Sequence, residues 1–198
     1  MFSNNHVELI AFLTQLGADA ATISDVIAVA EPLELPTRHI LLHQGQRQTH
    51  CYFLLNGLCH ACYLTDQGKQ FSKEFYWDQD VIIGFESLIN NEPSAFLLET
   101  LSASQLIMLP ITLFQQWRQQ QHPLYQALLE RQLLHKEHKE RFMLMHTPEQ
   151  RLQLFCDHFP ELVGRITDYQ LASYLGITSI SLSRIKKRIA SDDIIDKS

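Results

Sequence analysis

Between Glu31 and Pro110 the chain never holds one pattern for long, and this restricts its fold more than any other feature. Short apolar and β-branched runs alternate with turn residues: Ile40–Leu42 before Gly45, Tyr52–Leu55 before Asn56-Gly57, Leu58–Leu64 before Asp66-Gln67-Gly68. Phe71–Trp77, Val81–Ile83, Phe96–Leu101 and Gln105–Leu109 continue the series. Many short strands at this spacing indicate a sandwich or a jelly-roll-like barrel. Asn56-Gly57 reads as a two-residue hairpin, because both positions tolerate positive φ. No stretch repeats at a fixed period, so a repeat architecture is not expected.

Helical patterns flank this region. His6–Leu16 carries apolar residues at Val7, Ile10, Ala11 and Leu13, and Thr22 or Ser24 opens a further brief turn. Beyond Pro110 the pattern is helical to the end. Ile111–Gln121 stops before Pro123, and Leu124 to about Met145 contains neither Gly nor Pro. At a period near 3.5 one seam of that helix holds Leu124, Leu128, Arg131, Leu134 or His135, His138, Phe142 and Met145. The stripe suits either a two-helix coiled coil or a helix lying across the sheet, and each reading can hold at one end. Thr147-Pro148-Glu149-Gln150 is a helix start, with a Thr N-cap, Pro at the first position and a capping-box Gln. It marks the best domain boundary.

Charge separates the two ends. The net charge is −6 overall, yet residues 1–120 carry −7 while 147–198 are neutral, with Arg184, Lys186, Lys187 and Arg188 clustered. An acidic front and a locally basic rear suggest modules with different partners. No apolar run approaches the ~18 residues of a membrane span, and no basic region precedes the first apolar residues as a signal peptide requires. A cytoplasmic protein is expected. The four cysteines, Cys51, Cys59, Cys62 and Cys156, are too few and too unevenly spread for a secreted disulfide framework.

Thr167-Asp168-Tyr169-Gln170 is a second capping box, opening a short helix to Leu175. Gly176 stops it, and Thr178 opens the next helix, Ser179 to about Ala190. Leu171, Ala172, Leu175, Ile177, Leu182 and Ile185 fall at core positions, and Ala172 is small enough for close helix approach. Gly176 suits the left-handed conformation of a sharp turn. This is the pattern of a helix-turn-helix, whose second helix enters the DNA major groove. Ser179, Ser181, Ser183, Arg184, Lys187 and Arg188 lie outside the buried stripe, as groups suited to base edges and phosphates.

With these residues in place, roughly residues 20–190 resemble the cyclic AMP receptor/fumarate-nitrate regulator (Crp/Fnr) family of bacterial transcription factors. The resemblance rests on the glycine-punctuated strands around Gly45, Tyr52-Phe53-Leu54-Leu55-Asn56-Gly57, Gly68 and Gly84. It rests also on the long helix, on Thr147-Pro148-Glu149-Gln150-Arg151-Leu152, on Leu171-Ala172-Ser173-Tyr174-Leu175-Gly176-Ile177-Thr178 and on Leu182-Ser183-Arg184-Ile185. It implies an α+β chain in three parts: an N-terminal cyclic-nucleotide-binding-like β-roll (jelly roll) over residues 1–121, a long dimerisation helix over 122–146, and a C-terminal helix-turn-helix over 147–198. The last part is a reduced winged helix, since little chain follows the second helix.

Two departures shape the functional expectation. The family's nucleotide pocket uses a Gly-Glu pair and then Arg-Ser, with the Arg on the cyclic phosphate. Here the stretch reads Gly84-Phe85-Glu86-Ser87 and then Pro93-Ser94-Ala95, so Pro93 stands at the Arg position. A buried phosphate without a cationic partner carries a large desolvation cost. The family often has Arg-Glu near the start of the recognition helix, where this sequence has Ser179-Ile180. The resulting expectation is a homodimeric, sequence-specific regulator of transcription that binds double-stranded DNA. The DNA-binding residues are Thr167, Ser179, Ile180, Ser181, Ser183, Arg184, Lys187 and Arg188. An effector pocket is expected at Gly84, Glu86 and Ser94, with Leu134 and His135 where relatives contact the base. No cofactor is expected, cyclic nucleotide included; an unknown small-molecule effector and RNA polymerase are the further partners, and no membrane is involved. The alternative is a ligand-binding or protein-interaction module whose helix-turn-helix is non-functional.

Other constellations are weaker. Cys59-His60-Ala61-Cys62 resembles a metal or redox motif, but residues three apart on a strand face opposite sides, so these cysteines read as buried structural thiols. His135 and His138 share a side of the long helix, as metal or pH-sensing groups or as partly exposed helix histidines. His39, His43 and His50 show no ligand spacing, and no metal site is expected. No Ser-His-Asp order, nucleophile elbow, P-loop or paired-carboxylate motif appears, so the chain is not read as an enzyme.

Overall fold

The computed structural model describes residues 5–195. In chain order the elements are α1 (Asn5–Gln15), α2 (Ala20–Ala28), β1 (Glu31–Leu35), β2 (Ile40–Leu42), β3 (His50–Asn56), β4 (Leu58–Leu64), β5 (Gln70–Trp77), β6 (Val81–Ile82), α3 (Phe85–Asn90), β7 (Leu97–Thr100), β8 (Ser104–Pro110), α4 (Ile111–Gln119), α5 (Pro123–Met145), α6 (Pro148–His158), α7 (Asp168–Tyr174) and α8 (Ser179–Ile195). The chain divides into two compact units. One holds the residues up to Lys69 with Lys73–Leu134; the other holds Gln70–Ser72 with the chain from His135 onward.

In the first unit the strands form two four-stranded sheets, ordered β1-β8-β3-β6 and β2-β7-β4-β5. Alternation decides which side chains meet. Cys51, Phe53 and Leu55 of β3 face a core built with Leu9, Val26, Phe114, Leu124 and Leu128 of the helices. Tyr52 and Leu54 face the other way, into a core with Leu42, Cys59, Ala61, Tyr76, Phe96 and Leu98. The interior of the roll is therefore closed by apolar and aromatic side chains, and its burial pushes the Tyr76 phenol far above its ordinary value. Asp19 caps α2, its carboxylate accepting from the Thr22 amide at 2.8 Å; the start lies before the expected Thr22 or Ser24.

Asn56-Gly57 does not form the expected hairpin. β3 pairs with β8 and β6, while β4 lies in the other sheet, so the chain crosses between sheets at this point. Gly57 is required there for another reason. Its φ is +127°, and a Cβ would lie 2.8 Å from the Ser104 Cα, inside the backbone that passes it. The hairpin chemistry sits instead at Asp66-Gln67-Gly68, which joins β4 to β5 with Gly68 at φ +75°.

At its start the long helix α5 lies against the core, as one expected reading had it. Leu124 and Leu128, placed in the seam by sequence, are packed in the core of the first unit. Farther along, Leu133, Leu134, Leu144 and Met145 are exposed. Among the described residues no helix is long and apolar enough to cross a membrane.

In the second unit both capping boxes form: Thr147 with Gln150 and Thr167 with Gln170. Leu152, Phe155, Leu162, Leu171, Ala172, Leu175, Leu182 and Ile185 are buried, and Phe155 meets Tyr174 edge-on at 5.6 Å. Ala172 has no bulk beyond its methyl, which suits the close α7–α8 approach. Gly176 turns the chain at φ +69°, with the Met143 methyl filling the place of its missing side chain. α8 runs to Ile195, past the expected end near Ala190. Residues 196–198, the last of the stretch left for a wing fragment, lie outside the described residues.

Candidate functional sites

α8 presents two sides of different chemistry. Leu182 and Ile185 are buried, while Ser179, Ile180, Ser183, Arg184 and Lys187 border one surface depression. Thr178 fixes the start of the helix, its hydroxyl accepting from the Ser181 amide at 3.1 Å. Ile180 is 67% exposed, an unusual position for a β-branched apolar side chain that supports no core. Among the described residues, Arg184 and Lys187 have no carboxylate partner.

Three of the expected DNA-binding residues are engaged locally. The Thr167 hydroxyl accepts from the Gln170 amide at 3.2 Å and donates to Gln170 Oε1 at 3.0 Å. The Ser181 hydroxyl is 2.9 Å from that of Thr178. Arg188 pairs with Glu149 and Lys186 with Asp168. Glu149 is half-buried, and its carboxyl is held below the ordinary glutamate value first by its own backbone amide at the start of α6 and then by Arg188. Sequence reading did not find these two pairs: each joins groups 18 or more positions apart, and only the packing of α6, α7 and α8 brings them together.

The expected effector residues are placed differently. Gly84 is buried at the start of α3, and a Cβ there would stand 2.3 Å from Gln48 Oε1. Ser94 is 2% exposed, yet its hydroxyl turns back on its own chain, donating to the Phe96 carbonyl at 2.8 Å and accepting from the Phe96 amide at 3.2 Å. Glu86 and Pro93 are exposed. Leu134 is 59% exposed and belongs to the first unit, whereas His135 belongs to the second. The structure thus brings Gly84 and Ser94 into the roll but not Glu86. Three cations approach this stretch: Arg118 donates to the Ile89 carbonyl at 2.8 Å, Arg47 donates to the Asn91 carbonyl at 3.1 Å, and Lys73 of β5 stands 4.9 Å from the centre of the Phe96 ring. No motif in the sequence marks Lys73.

Within the second unit, His135 and His138 border a cavity of about 370 Å³ with His146, His158, Phe142 and Tyr174. Lys139 lies over the Tyr174 ring at 3.9 Å, a cation–π contact. Both expected readings of the histidine pair remain compatible with this arrangement, since both rings are exposed and both border a concave surface.

Comparison with known proteins agrees with this architecture. Residues 32–121 match the model of a family described as cyclic nucleotide-binding domain. Comparison with curated proteins returns no match. Among solved structures, FixK2 from Bradyrhizobium japonicum is similar at TM-score 0.68 and 17% identity, over 84% of this chain and 87% of that one. The c-di-GMP responsive global regulator CLP of Xanthomonas campestris is similar at TM-score 0.64 and 17% identity, over 88% and 93%. The sensor domain of the transcriptional regulator DNR from Pseudomonas aeruginosa is similar at TM-score 0.57 and 17% identity, over 72% and 94%. The chain is therefore α+β, with the jelly-roll sheets of a cyclic nucleotide-binding domain and additional helices, and its structural neighbours include transcription regulators.

Proposed function

We propose that this chain is a sequence-specific DNA-binding transcription regulator of the Crp/Fnr type, with α7 and α8 as its helix-turn-helix. The observation that carries the proposal is the exposed face of α8. An amphipathic helix built only for packing has no need to align Ser179, Ile180, Ser183, Arg184 and Lys187 around one depression. Their chemistry suits DNA: Arg184 can donate two hydrogen bonds to guanine, Ile180 can touch a thymine methyl, and Lys187 suits a phosphate. Selection of bound fragments from a random DNA library tests this, followed by a salt titration. Binding with a defined consensus and a steep salt dependence is the expected result.

Homodimerisation is part of the proposal. Leu129, Leu133 and Leu144 are exposed on one side of α5, which they share with Lys136 and Glu140, and this side is the proposed seam. Double substitution of Leu133 and Leu144 by Glu should give monomers in sedimentation. Leu128 is unsuitable for this test because it supports the core.

Cyclic AMP and cyclic GMP are proposed to bind weakly or not at all. Pro93 offers no charge to a phosphate, and the Ser94 hydroxyl is engaged with Phe96. Micromolar affinity in calorimetry would overturn this, and Lys73, Arg47 and Arg118 would then be the cations to substitute.

A second reading has an observation in its favour. Two of the four clustered basic residues are paired with carboxylates, which lowers the positive potential a DNA-binding helix relies on. A ligand-binding or protein-interaction module with a non-functional helix-turn-helix would show no salt-dependent DNA binding at all.

A further inference from the structure

We propose that His60, Cys62 and Glu99 form a binding site for a divalent transition-metal ion of the zinc class. His60-Ala61-Cys62 lies on β4, and residues two apart on a strand share a face. Ala61 points into the roll, so His60 and Cys62 point together to the opposite side. Glu99 of β7 is the cross-strand partner of His60. One ligand atom of each residue lies within 4.8 Å of the others, and His60 and Cys62 are buried. Among the described residues this is the one group of three such side chains close enough to hold an ion together. The proposal stands apart from any reading of α8.

The spacing accommodates a metal as well as a hydrogen bond. His60 Nδ1 and Glu99 Oε1 are 3.4 Å apart. A charge-assisted hydrogen bond between them would be about 2.7–2.9 Å. Ligands bound to zinc at about 2.0–2.2 Å are separated by a tetrahedral edge of about 3.4 Å. The His60 ring is held in place by stacking on Phe75, at 5.0 Å and 19°, which fixes the direction of its nitrogens. Cys62 must approach by rotation of its side chain, since a sulfur–nitrogen edge is only slightly longer than a nitrogen–oxygen one. The donor set of one imidazole, one thiolate and one carboxylate suits zinc and leaves a fourth position for water or an outside ligand. Glu99 reaches partly to solvent, at 22% side-chain exposure, and so provides the way in.

Binding follows a balanced exchange. The ion enters as a hydrated dication, the Cys62 sulfur–hydrogen bond breaks as the metal–sulfur bond forms, and one proton leaves to solvent with the displaced waters. The bound thiolate and carboxylate together neutralise the ion.

Titration of the reduced full chain with Co²⁺ tests the site, because a cobalt–thiolate bond gives a near-ultraviolet charge-transfer band that imidazole and carboxylate do not. One equivalent should produce the band, together with the strong visible bands of tetrahedral cobalt, and Zn²⁺ should abolish both. Cys62→Ala should lose the charge-transfer band and weaken binding by more than about tenfold. Glu99→Gln should keep the band with weaker affinity, and Cys156→Ala should leave the titration unchanged. Absence of the band in the native chain would overturn the proposal, as would its survival in Cys62→Ala. Thermal unfolding of the native chain gives a measure independent of any variant: Zn²⁺ should raise its midpoint, and an unchanged midpoint at saturating Zn²⁺ counts against the site.

Discussion

The α8 face and the Gly84–Phe96 stretch of the roll are made from similar materials, each with serines beside a short turn and a helix start. They differ in what those groups already do. Ser94 gives both its donor and its acceptor to Phe96, and Gly84 is closed by Gln48. Ser179, Ser183, Arg184 and Lys187 border a surface depression instead. A polar group engaged by its own chain supports the fold; one left facing water is available to a partner. The roll stretch should therefore answer substitution with lost stability, and the α8 face with lost binding.

The largest effect should come from Gly57→Ala. Its positive φ and the 2.8 Å approach to the Ser104 backbone leave no easy relaxation. Strain and overpacking together should cost about 2–6 kcal/mol, measurable by chemical denaturation. A cost under half a kcal/mol would mean that the crossing between sheets can move, and the contrast with α8 would weaken. Ser94→Ala comes next, at about 1–3 kcal/mol, because the Phe96 amide loses its partner in a buried place. A gain of nucleotide affinity without loss of stability would show that Ser94 belongs to a binding site after all.

Arg184→Ala should change stability by less than about 0.5 kcal/mol. It should remove about 1–3 kcal/mol of discrimination at one base pair in each half-site, read from selected-DNA profiles. Equal loss on every sequence, together with a lowered melting temperature, would place Arg184 in the fold instead. Lys187→Ala should weaken all sequences alike and lower the salt slope by about one.

The smallest effect sharpens the comparison at its boundary. Glu149→Gln frees Arg188 to join the exposed face, and the salt slope of DNA binding should rise by about one. Acid should act in the same direction. Because the Glu149 carboxyl is held below its ordinary value, its contribution to stability is complete above that value. The contribution is lost as the pH falls through the lower folded value, which also releases Arg188.

Much of this architecture was legible because local chemistry decided it. Thr147 and Thr167 announce their helices through capping boxes that the structure forms, and Leu58–Leu64 is a strand with the expected limits. α3 was not legible. It spans six residues, too few to show a period, and starts at Gly84 without a side-chain cap. Asn56-Gly57 misled because a glycine can be required by close backbone approach as well as by a tight turn. The site residues divide similarly: the exposed stripe of α8 follows from a period of 3.6, whereas the Arg188–Glu149 pair, Lys73 over Phe96 and Glu99 beside His60 depend on the register of distant segments.

The pairing of β8 bears on how the protein comes to fold during synthesis. β8 lies between β1 and β3, so that Leu106 stands opposite both Leu33 and Leu54. Neither β1 nor β3 can complete its ladder until Pro110 has left the ribosome. In the second unit α7 and α8 are joined by four residues and can meet almost as soon as they exist. Closing the long loops of the roll is the slow process, and local helix pairing the fast one. During that delay β1 and β3 expose unpaired edges, and the nascent chain is then most open to chaperones and to aggregation.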